Sequence, residues 1–363
     1  MNGNAALWPE AFHGLHDRLV GLLDRIPMAG VQLSVSRDGV RLLDAGLGEA
    51  RPGVHMTADS VLYWSCAGKP LLATVLATCV EEGRIRFEDA VADHLPAFAA
   101  NGKGAVTVAD VLSHTGGFPE FRGHPVRDTY ADFLAEVLGL PLKPGWVTGK
   151  DQGYHQETAW YVVAALIESL LGEDYRDAFV RRLCAPLGLE AWPGMSAESH
   201  DRNRHLLAVP TATATQGVRS FPYVISRVGI QAKIPSYGYY GTMAHLARFY
   251  EAALAGLRGE GAFPVSPPVL SAMATAPRGP VHDRTWGYVC GLGLGFFTGL
   301  RDHGGYGSGW SASSFGASGR VGQVYGGADP ETGVVVAASF GALAFDAATR
   351  NAVMDELYAA ALA

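Results

Sequence analysis

The chain has 363 residues, 48% of them hydrophobic and 17% charged, which suits one large or two closely joined globular units with a sizeable core. Its 28 basic and 35 acidic residues leave a formal charge of −7 without a Lys/Arg cluster, so neither nucleic acid nor an anionic membrane is an expected partner. No apolar stretch approaches the ~20 residues of a membrane span.

The opening stretch, MNGNAALWPEAFHGLHDRL, shows no basic segment followed by an apolar run, so no secretory signal is evident and a cytoplasmic location is expected. Residues 9–26 then place Phe12, Leu15, Leu19, Leu22, Leu23 and Ile26 at helical spacing. The run VQLSVSRDGVRLLDAGLGEA (31–50) holds two alternating or apolar segments about Arg37-Asp38-Gly39. Asp-Gly suits a tight turn, so a β-hairpin is predicted.

At Tyr63-Trp64-Ser65-Cys66-Ala67-Gly68-Lys69-Pro70 a strand-like run gives way to a helix carrying Leu71, Leu72, Val75, Leu76, Cys79 and Val80. The helix is expected to stop near Glu82-Gly83. Cys66 sits where unpaired N–H groups and the helix dipole favour negative charge. Lys69 follows three residues later, close enough on a helix for an amine to exchange a proton with a thiol. Two plainer readings stand beside this one. Cysteine is a common buried apolar residue, and Ser65 is either an N-cap or itself the nucleophile.

The middle of the chain reads as helical near 128–138, 157–171 and 174–190, the last closed by Pro186-Leu187-Gly188. Residues 190–235 lack clear periodicity, and a helix returns in MAHLARFYEAALAG (243–256). From Trp286 the pattern is β-like in WGYVCGLGLGFF, SSFGASGRVGQVYGGADP and GVVVAASFGA, before a last helix in DAATRNAVMDELYAAALA. The glycine-dense RDHGGYGSGWS (301–311) reads as a flexible rim loop, since no G-x-x-x-x-G-K-[ST] occurs. Strands at both ends with helices between predict an α+β fold: an antiparallel sheet from both chain ends, flanked by helices, with an inserted mainly helical lobe. The expectation is a single domain, 1–363. Its sheet lobe takes roughly 1–90 plus 285–363 and its helical lobe 91–284, with the site in the cleft between them.

Cys66, Cys79, Cys184 and Cys290 show neither C-x-x-C nor zinc-ligand spacing, so free thiols are expected. None of the twelve histidines forms a metal pattern, and neither metal nor cofactor is expected.

Several of these stretches together resemble the serine β-lactamase-like group of class C β-lactamases, penicillin-binding proteins, esterases and transacylases. C-A-G-K-P resembles its S-x-x-K nucleophile motif. EEGRIRFEDAVADHLPAF is similar to the following G-x-L-x-L-D-D-P-V segment, and VTVADVLSHTGGFPEF to I-T-V-R-H-L-L-S-H-T-S-G. LKPGWVTGKDQGYHQETAWYVVAALIESLLG resembles the P-G…Y-x-N segment in its Tyr-His form, and CAPLGLE resembles the PLGM helix end. The likeness spans roughly 30–340 in the family's order.

It implies a β-lactamase/transpeptidase-like fold with Cys66 as nucleophile, Lys69 as its partner and Tyr154 as catalytic tyrosine. It also implies an oxyanion hole from the N–H groups of Cys66 and Arg320, beside the strand Ala317-Ser318-Gly319. Ser318, Gly319, His155 and Tyr237 are the expected substrate-binding residues, and His114 is expected to cap or to form a buried hydrogen bond. Two departures matter: cysteine replaces the family's serine, and alanine at 317 replaces a basic residue used toward a substrate carboxylate. A thioester at Cys66 would react with amines in preference to water. The leading expectation is therefore a biosynthetic transacylase passing an acyl group from an ester or thioester to an amine or alcohol. The acyl donor and acceptor are small molecules, with a carrier-protein or coenzyme A thioester among the candidate donors. A carboxylesterase or thioesterase and a non-catalytic binding protein are the alternatives.

Overall fold

The computed structural model describes residues 8–26, 29–120, 129–214, 217–321, 323–341 and 347–363. Residues 1–7 of the opening stretch, Phe121 at the end of the His114 motif and Asp346 at the start of the last helix lie outside them.

Both chain ends build one nine-stranded sheet. Its order is Val54–His55, Val40–Arg51, Gly30–Arg37, Val334–Ser339, Val324–Ala328, Phe315–Gly319, Phe297–Thr298, Val289–Leu292 and Val281–His282. Every neighbouring pair is antiparallel. The predicted hairpin turn falls at Asp38 and Gly39, with φ of 49° and 79°. Positive φ at both central residues matches the twist of the flanking strands.

Alternation along the strands separates two cores. Val334, Val336 and Ala338 face the core shared with Val31, Leu33 and Val35 and with the helices His13–Leu23 and Ala347–Leu362. Val335 and Ala337 face the other core, shared with the helices Met243–Leu257, Lys69–Glu81 and Thr158–Leu171. On that second face Gly326 leaves room for the Met243–Leu257 helix, because a Cβ there would lie 2.5 Å from the Tyr250 ring. The stretch between the two sheet-forming ends is largely helical, with a small three-stranded sheet of Leu62–Tyr63, Tyr239–Gly241 and Ala191–Pro193.

Four local expectations need correction. The first helix begins with a 3-10 turn, Glu10–Phe12, and the α-helix runs only over His13–Leu23. The helix expected over 174–190 is interrupted by a π-helical segment, Val180–Cys184, before it ends at Gly188 with φ 61°. The unperiodic stretch 190–235 holds short helices, Ala197–Asn203 and Arg227–Gln231, beside its strands. The glycine-dense run 301–311 is also tied down. Asp355 accepts from the N–H groups of Ser308 at 2.6 Å and Gly309 at 3.1 Å, Asn351 accepts from Gly305, and Trp310 is buried. Its glycines permit tight turning against the last helix rather than freedom.

Candidate active site

The strand Leu62–Tyr63 delivers the chain to Trp64, whose N–H donates to the Tyr239 carbonyl at 2.8 Å. Ser65 then adopts φ 52°, a left-handed conformation costly for a residue with a Cβ. A 3-10 turn, Ser65–Gly68, follows, and only at Lys69 does the buried α-helix Lys69–Glu81 begin. Cys66 thus precedes the helix rather than sitting in its first turn. The proximity of Cys66 and Lys69 survives, because residues three apart eclipse in a 3-10 turn. Ser65 is 4% exposed and its hydroxyl donates to Cys66 Sγ at 4.0 Å, whereas Cys66 is half-buried and lines the cleft.

Lys69 is buried, and its Nζ donates to the Tyr154 phenol at 2.8 Å and to the Gln156 carbonyl at 2.7 Å. Burial pulls its ammonium below the usual lysine range, while Cys66, Glu120 and Glu157 partly oppose that pull. Burial pushes the Tyr154 phenol well above its usual range, and the negative charges of Cys66, Glu120 and Asp283 act in the same direction. The pair is therefore an amine eased toward its neutral form and a phenol that keeps its proton.

A cleft of about 530 Å³ opens beside Cys66, with Tyr154, Trp286, Phe297, Ser318, Gly319 and Arg320 on its wall. The strand Phe315–Gly319 runs flush against the Cys66 turn. A Cβ on Gly319 would stand 2.3 Å from the Trp64 carbonyl oxygen. Among the described residues neither the Cys66 nor the Arg320 N–H meets an acceptor. Ala317 is buried, yet Arg320 and Arg350 both line the cleft without a salt bridge among the described residues. The wall keeps positive charge although position 317 does not carry it.

Cys66, Lys69, Tyr154, Ser318, Gly319 and Arg320 are brought together. His155 is not, and its expected contact with substrate is corrected: it is fully buried, stacked 4.6 Å from Phe118, and lies off the cleft wall. Burial pulls His155 down to about 3. Tyr237 is half-buried against the Tyr63 and Tyr240 cluster and is likewise absent from the wall, although its phenol lies within electrostatic reach of Glu157 and Cys66. His114 accepts the His155 N–H through Nδ1 at 3.0 Å and packs on the Tyr154 ring at 4.5 Å. Burial, with the charges of His155 and Lys69, holds it well below the usual histidine range.

Three contributors have no signature in the sequence. Trp286 stacks on Tyr154 with ring centroids 4.5 Å apart. Glu120 accepts from the N–H groups of Gln156 and Glu157, holding the carbonyl that Lys69 uses. Asp283, fully buried, accepts from the Tyr154 N–H at 2.9 Å. Glu120 lies in the VTVADVLSHTGGFPEF stretch, but nothing there marks its role, and each of the three depends on a partner distant in the chain.

A half-buried thiol on a cleft wall beside a hydrogen-bonded amine–phenol pair supplies groups of the kind that acyl transfer through a covalent intermediate uses. The Beta-lactamase family model matches residues 17–359. The chain belongs to the Beta-lactamase family. As a member it is an enzyme of hydrolysis or acyl transfer. It is 30% identical over 334 residues to Esterase/beta-lactamase LipL of Mycobacterium tuberculosis (strain ATCC 25618 / H37Rv), covering 85% of this chain and 76% of that one. A penicillin-binding protein homologue from Caulobacter crescentus superposes with a TM-score of 0.76 at 25% identity, over 97% of this chain and 98% of that one. EstCE1, described as a hydrolase with promiscuous acyltransferase activity, superposes with a TM-score of 0.77 at 18% identity, over 98% and 100%. That last likeness shows the Beta-lactamase fold alone. No helix of the described residues is long and apolar enough to cross a membrane.

Proposed function

We propose that this Beta-lactamase family member transfers an acyl group from an ester or thioester to an amine or alcohol, through an acyl-Cys66 thioester. The observation that carries this reading is Cys66 on the cleft wall beside the hydrogen-bonded Lys69–Tyr154 pair.

In the first step Lys69 Nζ takes the thiol proton and Sγ bonds to the donor's carbonyl carbon. The oxygen, now negative, faces the N–H groups of Cys66 and Arg320. Collapse of this intermediate breaks the bond to the leaving group, which departs with the proton returned through Lys69 and Tyr154. The acceptor's nitrogen or oxygen then attacks the thioester, gives its proton to the same pair, and releases Cys66 as the thiol. Thiolates are intrinsically stronger nucleophiles than hydroxyl groups. Their thioesters favour amine acceptors over water, which supports transfer over hydrolysis. The proposed donor is a small-molecule ester or a coenzyme A or carrier-protein thioester, the acceptor is small, and the setting is cytoplasmic and biosynthetic.

The test is intact-mass measurement after treatment with an activated ester. Wild type and Ser65→Ala are expected to gain one acyl group and Cys66→Ala none. Label kept by Cys66→Ala and lost by Ser65→Ala would overturn the assignment. Hydrolysis is the second reading, favoured by the esterase in the name of the 30% identical relative. Product that is free acid alone across a panel of amines and alcohols would select it.

A further inference from the structure

Asp283 is a carboxylate with no exposed surface. Its Oδ2 accepts from the Tyr154 backbone N–H at 2.9 Å, with the Gln152 side-chain amide at 3.5 Å. Its Oδ1 accepts from the N–H groups of Thr285 and Trp286, both at 2.9 Å. The backbone reinforces the link, since Arg284 N–H donates to the Gln152 carbonyl at 2.9 Å. Arg284 itself pairs with Asp151, so Asp283 receives its hydrogen bonds from three main-chain groups and one amide rather than from a cation.

One side chain thereby holds two separate parts of the site. It fixes the backbone of Tyr154, whose phenol accepts from Lys69, and it shapes the loop that lays Trp286 on the Tyr154 ring. Two rings pack on it, Trp286 stacked at 4.5 Å and His114 tilted at 4.5 Å. With the backbone pinned by Asp283 and two rings packed on it, the phenol has little freedom to leave Lys69. The charge of Asp283 also adds to the influences that keep the phenol protonated.

We propose that Asp283 is a positioning residue for acyl transfer, acting through Tyr154 by locking its backbone and its Trp286 cover into the geometry that meets Lys69. The proposal rests on the acyl-Cys66 reading for its kinetic consequence and on the hydrogen bonds alone for its structural one. The competing possibility is a staple that stabilises the loop without reference to Tyr154.

A double-mutant cycle with hydrogen–deuterium exchange separates them. Asp283→Asn is expected to slow Cys66 acylation about 10–100-fold, the scale on which small misplacements act. In the Tyr154→Phe background the same change is expected to cost less than about 3-fold, because the group being positioned is already gone. Segments 152–157 and 283–288 are expected to exchange faster in Asp283→Asn. An equal rate loss in both backgrounds, no rate loss in either, or unchanged exchange at 152–157 would overturn the proposal. If Asp283→Asn does not fold, exchange in the wild type decides: the two segments must open together, and protection differing by more than about tenfold would overturn it. If the wild type never acylates, the acyl-Cys66 reading fails on its own, while the exchange result still judges the positioning.

Discussion

Lys69 and Tyr154 lie 85 residues apart, and a 2.8 Å hydrogen bond joins the Nζ of the first to the phenol of the second. Both groups are buried, and burial acts on them oppositely: it favours the uncharged amine and the uncharged phenol. In the proposed mechanism the amine takes up the thiol proton and returns it with the phenol, so the buried ammonium is only transient.

The first prediction concerns that amine. Acylation of Cys66 should rise with pH as Lys69 loses its proton, along a limb lying below the usual lysine range. Glu157 is one of the charges that pull Lys69 back up, so Glu157→Gln should move the limb to lower pH. Lys69→Met should lose about 10²–10⁴-fold in acylation, the usual contribution of a positioned acid–base group, and more than Tyr154→Phe. Stopped-flow acylation across pH reads all three variants. A limb that moves to higher pH in Glu157→Gln would contradict the assignment.

The second concerns partition. Cys66→Ser should retain some acylation yet send more of its acyl group to water, because an oxoester lacks the thioester's preference for amines. One acyl donor with a panel of amines, with both products quantified for the two proteins, measures the ratio. Little β-lactam hydrolysis is expected from the wild type in the same assay. An equal or higher amide fraction from Cys66→Ser would count against a thioester-directed transferase.

Steric fit at the cleft gives the third. Gly319→Ala would put a Cβ 2.3 Å from the Trp64 carbonyl oxygen, and a backbone atom cannot swing aside as a side chain can. The Cys66 turn or the Phe315–Gly319 strand must shift, at a cost of about 1–3 kcal/mol in stability, with loss of acylation. Gly304 also lines the cleft, but nothing lies within 4 Å of a Cβ built there. Gly304→Ala should therefore be nearly silent. Thermal melts and acylation rates of the pair give the comparison, and equal effects would show that the contact is not what matters.

The fourth is a pH dependence of stability. His155 is buried, neither ring nitrogen meets a partner in hydrogen-bonding geometry, and its folded-state value is about 3. Below the usual histidine value of about 6.5 the unfolded chain takes up a proton that the folded one refuses, so stability falls as the pH drops from there toward about 3. His303, pulled down to about 4, and His114 add to the same loss. His155→Phe should reduce the slope of unfolding free energy against pH by about 1.4 kcal/mol per pH unit in that window. Urea titrations at pH 7, 6 and 5 would show it, and parallel slopes for the two proteins would refute it.

What could be read along the chain was what its own local patterns determine. The Asp38-Gly39 turn, the helix bearing Leu71, Leu72, Val75 and Leu76 and the spacing of Cys66 and Lys69 are visible as neighbours or short periods, while the order of motifs through Tyr154 to Gly319 rested on the likeness to the serine β-lactamase-like group. They were enough for an α+β fold built from both ends and for a candidate thiol–amine pair. His155 misled because its adjacency to Tyr154 suggested a shared surface. A 3.0 Å bond from its N–H to His114 and packing on Phe118 instead accompany a ring buried in the core. The tertiary structure alone decided that Asp283 would reach Tyr154 across 129 residues, that Trp286 would cover its ring, and that Arg350 would face the cleft from the last helix. Periodicity reports which face of an element is apolar. It carries no information on which distant loop will bring a carboxylate to a particular N–H, because that is set by how the sheet and helices pack.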